Sequence, residues 1–89
     1  MPISHPHNPL LRRFWFRTKQ GRGIGVTAFS KEDAEQLIRD AAQATPWLNT
    51  EVLDVVEDVD LRHLDQGHVI PNMNPPTFRG IWFPRLGPL

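Results

Sequence analysis

The stretch that decides the fold is AFSKEDAEQLIRDAAQAT, residues 28–45. Ser30 stands where a helix N-cap belongs, because its hydroxyl can accept a hydrogen bond from a backbone N–H of the first turn. Asp33 lies three residues on, where a capping box carries Glu or Gln. Ala34, Leu37, Ile38, Ala41 and Ala42 recur on one stripe at helical spacing, and Glu35, Arg39 and Gln43 fall away from it. Glu32, Asp33 and Glu35 crowd the first turns, where the helix dipole favours negative charge. Pro46 disfavours helical backbone at Thr45 and so ends the run. The rest of the chain has to supply a surface that buries the stripe.

Upstream, residues 12–19 alternate as a strand does. Phe14 and Phe16 point one way, and Arg13, Trp15, Arg17 and Lys19 the other. Gln20-Gly21-Arg22-Gly23 is a turn, since its glycines allow the positive φ that tight hairpins demand. Ile24, Val26 and Ala28 then line one face of a second strand, opposite Gly25, Thr27 and Phe29. Pairing the two strands makes an apolar floor of Phe14, Phe16, Ile24, Val26 and Ala28. On the other face, the small Gly25 is expected to leave room for the ring of Trp15.

Downstream, Pro46-Trp47-Leu48-Asn49 turns the chain back, with Trp47 over one end of the core. Residues 50–59 form a third strand, with Leu53, Val55 and Val59 on one face and Val52, Asp54, Val56 and Asp58 on the other. Glu57 interrupts the apolar face and needs a partner or an exposed position. Asp60 is placed to cap a short turn over residues 61–64 that Gly67 closes. Residues 70–76 are irregular. Residues 78–83 form a fourth strand, an edge because prolines bracket it. The segment 71–84 admits two readings, one packed on the core and one that meets a partner.

The expected fold is α+β: β-hairpin, helix, strand, short helical turn, strand, with one helix packed on a four-stranded mixed or antiparallel sheet. The element order resembles small β-grasp-like or split ferredoxin-like domains, which host many unrelated activities. Residues 1–11 read as an arm, 12–84 as a single two-layer domain and 85–89 as a tail.

Net charge is zero over 89 residues, but the charges are segregated. Residues 1–31 carry six cations and no acid, and residues 32–65 carry all ten acids against Arg39 and Arg62. Either the two stretches face each other across neighbouring strands, or one marks a partner of opposite charge. The chain has no Cys, which removes disulfides, thiolate nucleophiles and Cys-based zinc sites. No apolar run approaches the roughly 20 residues that span a membrane, and the start lacks a signal-peptide apolar core. The expectation is a soluble, cytoplasmic protein.

Catalytic chemistry finds little footing. Ser4 lies in the arm, Ser30 serves as a cap, and there is no Tyr or Cys. Gly21-Arg22-Gly23-Ile24-Gly25 is not a phosphate loop, because a strand rather than a helix follows it. His5 and His7 on the arm make at most a weak metal grip. His63, Asp65 and His68 form the one compact His/Asp cluster, short of a zinc ligand set. No enzyme, cofactor or metal is therefore expected.

Two binding readings remain. In the first, Glu57, Asp58, Asp60 and Asp65 present an acidic face to a basic partner protein, as an inhibitor or immunity-type protein does. In the second, Arg13, Trp15, Arg17, Lys19 and Arg22 on the hairpin bind nucleic acid through cations and one stacking ring. The strongly acidic third strand counts against the second. The segment HVIPNMNPP, residues 68–76, with RGIWFP, residues 79–84, resembles small uncharacterised bacterial proteins, a resemblance that implies no particular activity.

Overall fold

The Phe14/Phe16 strand and its hairpin partner form the middle of the sheet, and later segments add to either side. The computed structural model describes residues 10–85. It contains β1 (Arg12–Thr18), β2 (Gly23–Ala28), α1 (Lys31–Ala42), β3 (Val52–Glu57) and β4 (Gly80–Phe83). Single 3-10 turns lie at Pro46–Leu48, Leu61–His63 and Ile70–Asn72. The sheet order is β3-β1-β2-β4 and every pairing is antiparallel, an α+β arrangement as expected. The hairpin register sets Phe14 against Val26 and Phe16 against Ile24.

The floor forms as the alternation requires. Phe14, Phe16, Ile24, Val26, Ala28 and Ala34 are all fully buried, and Ile38, Ala42 and Leu48 complete the cluster. Helix α1 lies across β2 and β4. Ser30 Oγ accepts the Asp33 N–H at 3.0 Å. Asp33 Oδ2 accepts the N–H of Phe29, one residue outside the usual capping-box return. The helix stops at Ala42, three residues before Thr45. Gln43 and Ala44 close tighter turns, and Thr45 takes the extended φ of −131° that a residue before proline favours. Leu48 is buried there and Trp47 only half-buried.

The other face of the sheet departs from the two-layer expectation. Val59, Val69, Trp82 and Phe83 form a second buried cluster, joined by Trp15, Leu61, Leu64 and Met73. Within residues 71–84, Met73, Ile81, Trp82 and Phe83 are therefore packed on the core, and Phe78 is 58% exposed. Glycines make this approach possible, but the one expected to admit Trp15, Gly25, lies against Trp82 instead. A Cβ on Gly25 would lie 2.5 Å from the Trp82 ring, while one on Gly23 would lie 2.0 Å from Trp15. Trp15 leans diagonally toward the turn because Trp82 fills the space over Gly25, and the two rings stack at 5.9 Å.

Val59 also departs from its expected face. Asp58 adopts a left-handed φ of 55°, which breaks the alternation. Val55 stays with the helix-side cluster, while Val59 joins the second one. Asp60 Oδ1 does accept the Arg62 N–H as the cap of the first turn. Gly67 belongs to the next turn, opened by Asp65, whose Oδ1 accepts the N–H groups of Gly67 and His68.

The two sheet edges are treated differently. Beyond β4 the chain returns, with Asn74 N–H donating to the Trp82 carbonyl at 2.8 Å and Thr27 Oγ1 donating to the Pro76 carbonyl. Among the described residues, the backbone of β3 bonds only to β1. Among the described residues, no helix is long and apolar enough to cross a membrane. The expected arm and tail lie mostly outside the described residues.

Candidate functional site

The charge segregation resolves into a seam between β1 and β3. Antiparallel pairing places Arg17 beside Asp54 and brings Arg12 to the end of β3. Arg12 reaches Glu57 at 2.8 Å and Asp58 at 2.9 Å, Arg17 reaches Asp54 at 3.0 Å, and Lys19 stands 3.8 Å from Glu51. Glu57 thus has the partner it needed. The hydrogen bond from Arg12 holds the Asp58 carboxyl below its usual range, and Arg12 itself is shifted upward by the same contacts. Asp60 is held low by the side chain and then the backbone N–H of Arg62. Asp65 Oδ1 is turned onto its own backbone.

Glu57, Asp58, Asp60 and Asp65 are therefore compensated locally rather than crowded and mutually repelling. Exposed pairs of this kind are individually weak and screened by salt. The pairs offset part of the acidic charge, while the side chains of Asp54, Glu57 and Asp58 stay half or more exposed at the strand.

The hairpin set is divided in the same way. Arg13 Nε donates to the Val59 carbonyl at 3.0 Å, and Arg17 and Lys19 face carboxylates. Trp15 is half-buried against Trp82 and Phe83. Arg22 stands apart, its guanidinium 5.0 Å over the ring of Trp47. Arg13, Trp15 and Arg17 thus do not form one open cationic face.

Two features escaped the sequence reading. The first is the open edge of β3, where Val52, Leu53 and Val56 are 39%, 57% and 42% exposed. Their apolar character was legible, but strand order decides that no other described segment covers them. The second is a groove of about 690 Å³ where the β1–β2 turn, the Pro46–Leu48 turn and residues 63–72 meet. Trp15, Trp47 and Phe83 line it with Arg22, Arg85, His63 and His68. The expected His63/Asp65/His68 cluster borders this groove. Among the described residues, no three His, Cys, Asp or Glu side chains gather to hold a metal ion.

No family model matches the chain, and no curated protein or solved structure is significantly similar to it.

Proposed function

We propose that the protein is a small non-enzymatic binding module that takes an extended segment of a partner protein along the open edge of β3. One observation carries this reading: among the described residues β3 pairs on one side only and exposes Val52, Leu53 and Val56, while at the opposite edge of the sheet the Trp82 carbonyl accepts the Asn74 N–H. Unpaired strand edges are templates for strand addition, and proteins that do not use them usually blunt them.

The charge of the strand selects the occupant. Residues 51–60 hold Glu51, Asp54, Glu57, Asp58 and Asp60 and no cation. A second copy of β3 would bring acids against acids, which is unfavourable across strands. An apolar strand carrying Lys or Arg fits better. The acidic residues then act by orienting a basic partner, while main-chain pairing and the apolar side chains hold it. An inhibitor or immunity-type role is the form of this reading in which the partner is a basic enzyme. Nucleic-acid binding by the hairpin has less support, because Arg13 and Arg17 are already engaged.

The test places a photo-crosslinking residue at Leu53, and at exposed Gln36 on α1 as control, in the native host. The partner trapped at position 53 is then purified and titrated. Leu53→Lys with Val56→Lys should leave the melting temperature near wild type, because both side chains are exposed, and weaken binding at least about tenfold. Equal binding by the folded variant, or a crosslink only to a second copy, would overturn the proposal.

A further inference from the structure

The groove beside the β1–β2 turn carries a second inference, independent of what β3 holds. We propose that it is a binding site for a nucleoside phosphate, the aromatic side chains receiving the base and the arginines the phosphate. Its volume of about 690 Å³ lies within the range of small-molecule sites.

The charges favour an anion. Arg12, Arg17, Arg62 and Arg79 are each tied to a carboxylate. Among the described residues Arg13, Arg22, Arg39 and Arg85 form no ion pair, and of these Arg22 and Arg85 line this groove, Arg85 Nη2 also donating to the Met73 carbonyl at 3.4 Å. Asp65 is the one carboxylate on the wall, and its Oδ1 is taken up by the N–H groups of Gly67 and His68. Two guanidiniums facing a cavity offer paired N–H donors that match phosphate oxygens.

The walls favour a planar ring. Trp47 stands on one side with the Arg22 guanidinium 5.0 Å over its ring, the place a base takes when that guanidinium turns to the phosphate. Half-buried Trp15 stands with Phe83, their rings 5.5 Å apart. Stacking on aromatic rings beside arginine is the common means of holding a base. An aliphatic acid would use the arginines and leave the rings idle. A metal ion would meet two cations.

The test uses the full chain. Tryptophan fluorescence and calorimetry follow titration with each of the four ribonucleoside monophosphates, with the nucleosides and inorganic phosphate as half-ligands. A short single-stranded oligonucleotide identifies the source. At least one nucleotide should bind saturably and about tenfold or more tighter than its nucleoside or phosphate alone. Arg22→Gln and Arg85→Gln, both at exposed positions, should each weaken it about tenfold without altering the circular dichroism spectrum. Trp47→Leu should weaken the nucleotide but not inorganic phosphate.

Tighter binding of the oligonucleotide, with a steep salt dependence, would support the site with a nucleic-acid strand as its source. Preference for the mononucleotide would support a free metabolite. Absence of saturable binding by any nucleotide or the oligonucleotide at millimolar concentration, or an Arg22→Gln/Arg85→Gln double variant that binds as wild type does, would overturn the proposal.

Discussion

Asp33 joins three parts of the chain through one residue. Its N–H donates to the Ser30 hydroxyl, its Oδ2 accepts from Phe29 N–H and from Arg79 Nε at 2.9 Å, and its Oδ1 accepts from Arg79 Nη2. These contacts, Arg79 first, lower its pKa from 3.8 to about 2. A carboxylate with a depressed folded pKa adds stability above its unfolded pKa and loses that contribution as pH falls through the folded one. The wild type should therefore lose stability between about pH 4 and pH 2, and Asp33→Asn should flatten that part of the profile. Urea midpoints across the acid range provide the check, and parallel profiles would assign the acid loss elsewhere. At Gly25 the constraint is steric. The Trp82 ring that a methyl would meet is 1% exposed and has nowhere to move. Gly25→Ala should cost about 1–3 kcal/mol or more by urea denaturation, as overpacking does. Unchanged stability would mean that Trp82 does not sit there.

At the scale of elements, the two central strands and the two outer ones have different work. β1 and β2 bury the floor on which α1 rests, and Phe16 is fully buried in it. Phe16→Ala should cost about 3–5 kcal/mol, the loss of transfer free energy adding to a cavity. A near-wild-type melting temperature would place that ring on the wrong face. β3 contributes only Val55 to the same floor, and its remaining apolar side chains face solvent. Substitutions at Leu53 should thus move binding and hardly move stability, the opposite of Phe16. That contrast separates an interaction edge from a structural one.

Across the whole molecule, one sheet serves two apolar clusters on opposite faces. Neither cluster keeps its floor if the hairpin opens, so the domain should unfold as a unit. Trp15 and Trp82 belong to the second cluster and α1 with Trp47 to the first, so fluorescence of a Trp47→Phe variant reports on the second cluster and circular dichroism on the first. Fluorescence and far-ultraviolet circular dichroism should show coincident denaturant transitions. Val69→Ala, in the second cluster, should shift both by the same amount, on the order of 1–3 kcal/mol. A shift confined to fluorescence would mean that residues 59–73 are a separately melting layer on a stable sheet.

Local periodicity and capping by themselves determined the hairpin, the stripe of α1 and the helix-side floor. Alternation at Phe14 and Phe16 and helical spacing from Ala34 to Ala42 are properties of neighbours in the chain, and burial followed them. Only the tertiary structure decided the second cluster, because Trp82 and Val69 meet Trp15 through contacts that span more than fifty residues and that no local pattern announces. It also decided the face of Val59, through a left-handed residue at Asp58 where chain alternation stops. Both candidate sites belong to this second category. Strand order left β3 at an edge, and the meeting of the β1–β2 turn, the Pro46–Leu48 turn, residues 63–72 and the end of β4 placed Arg22, Arg85, Trp15 and Trp47 around one groove. A strand's exposure and a groove's lining depend on which segments arrive beside them, and pairing across the sheet is what brings those segments together.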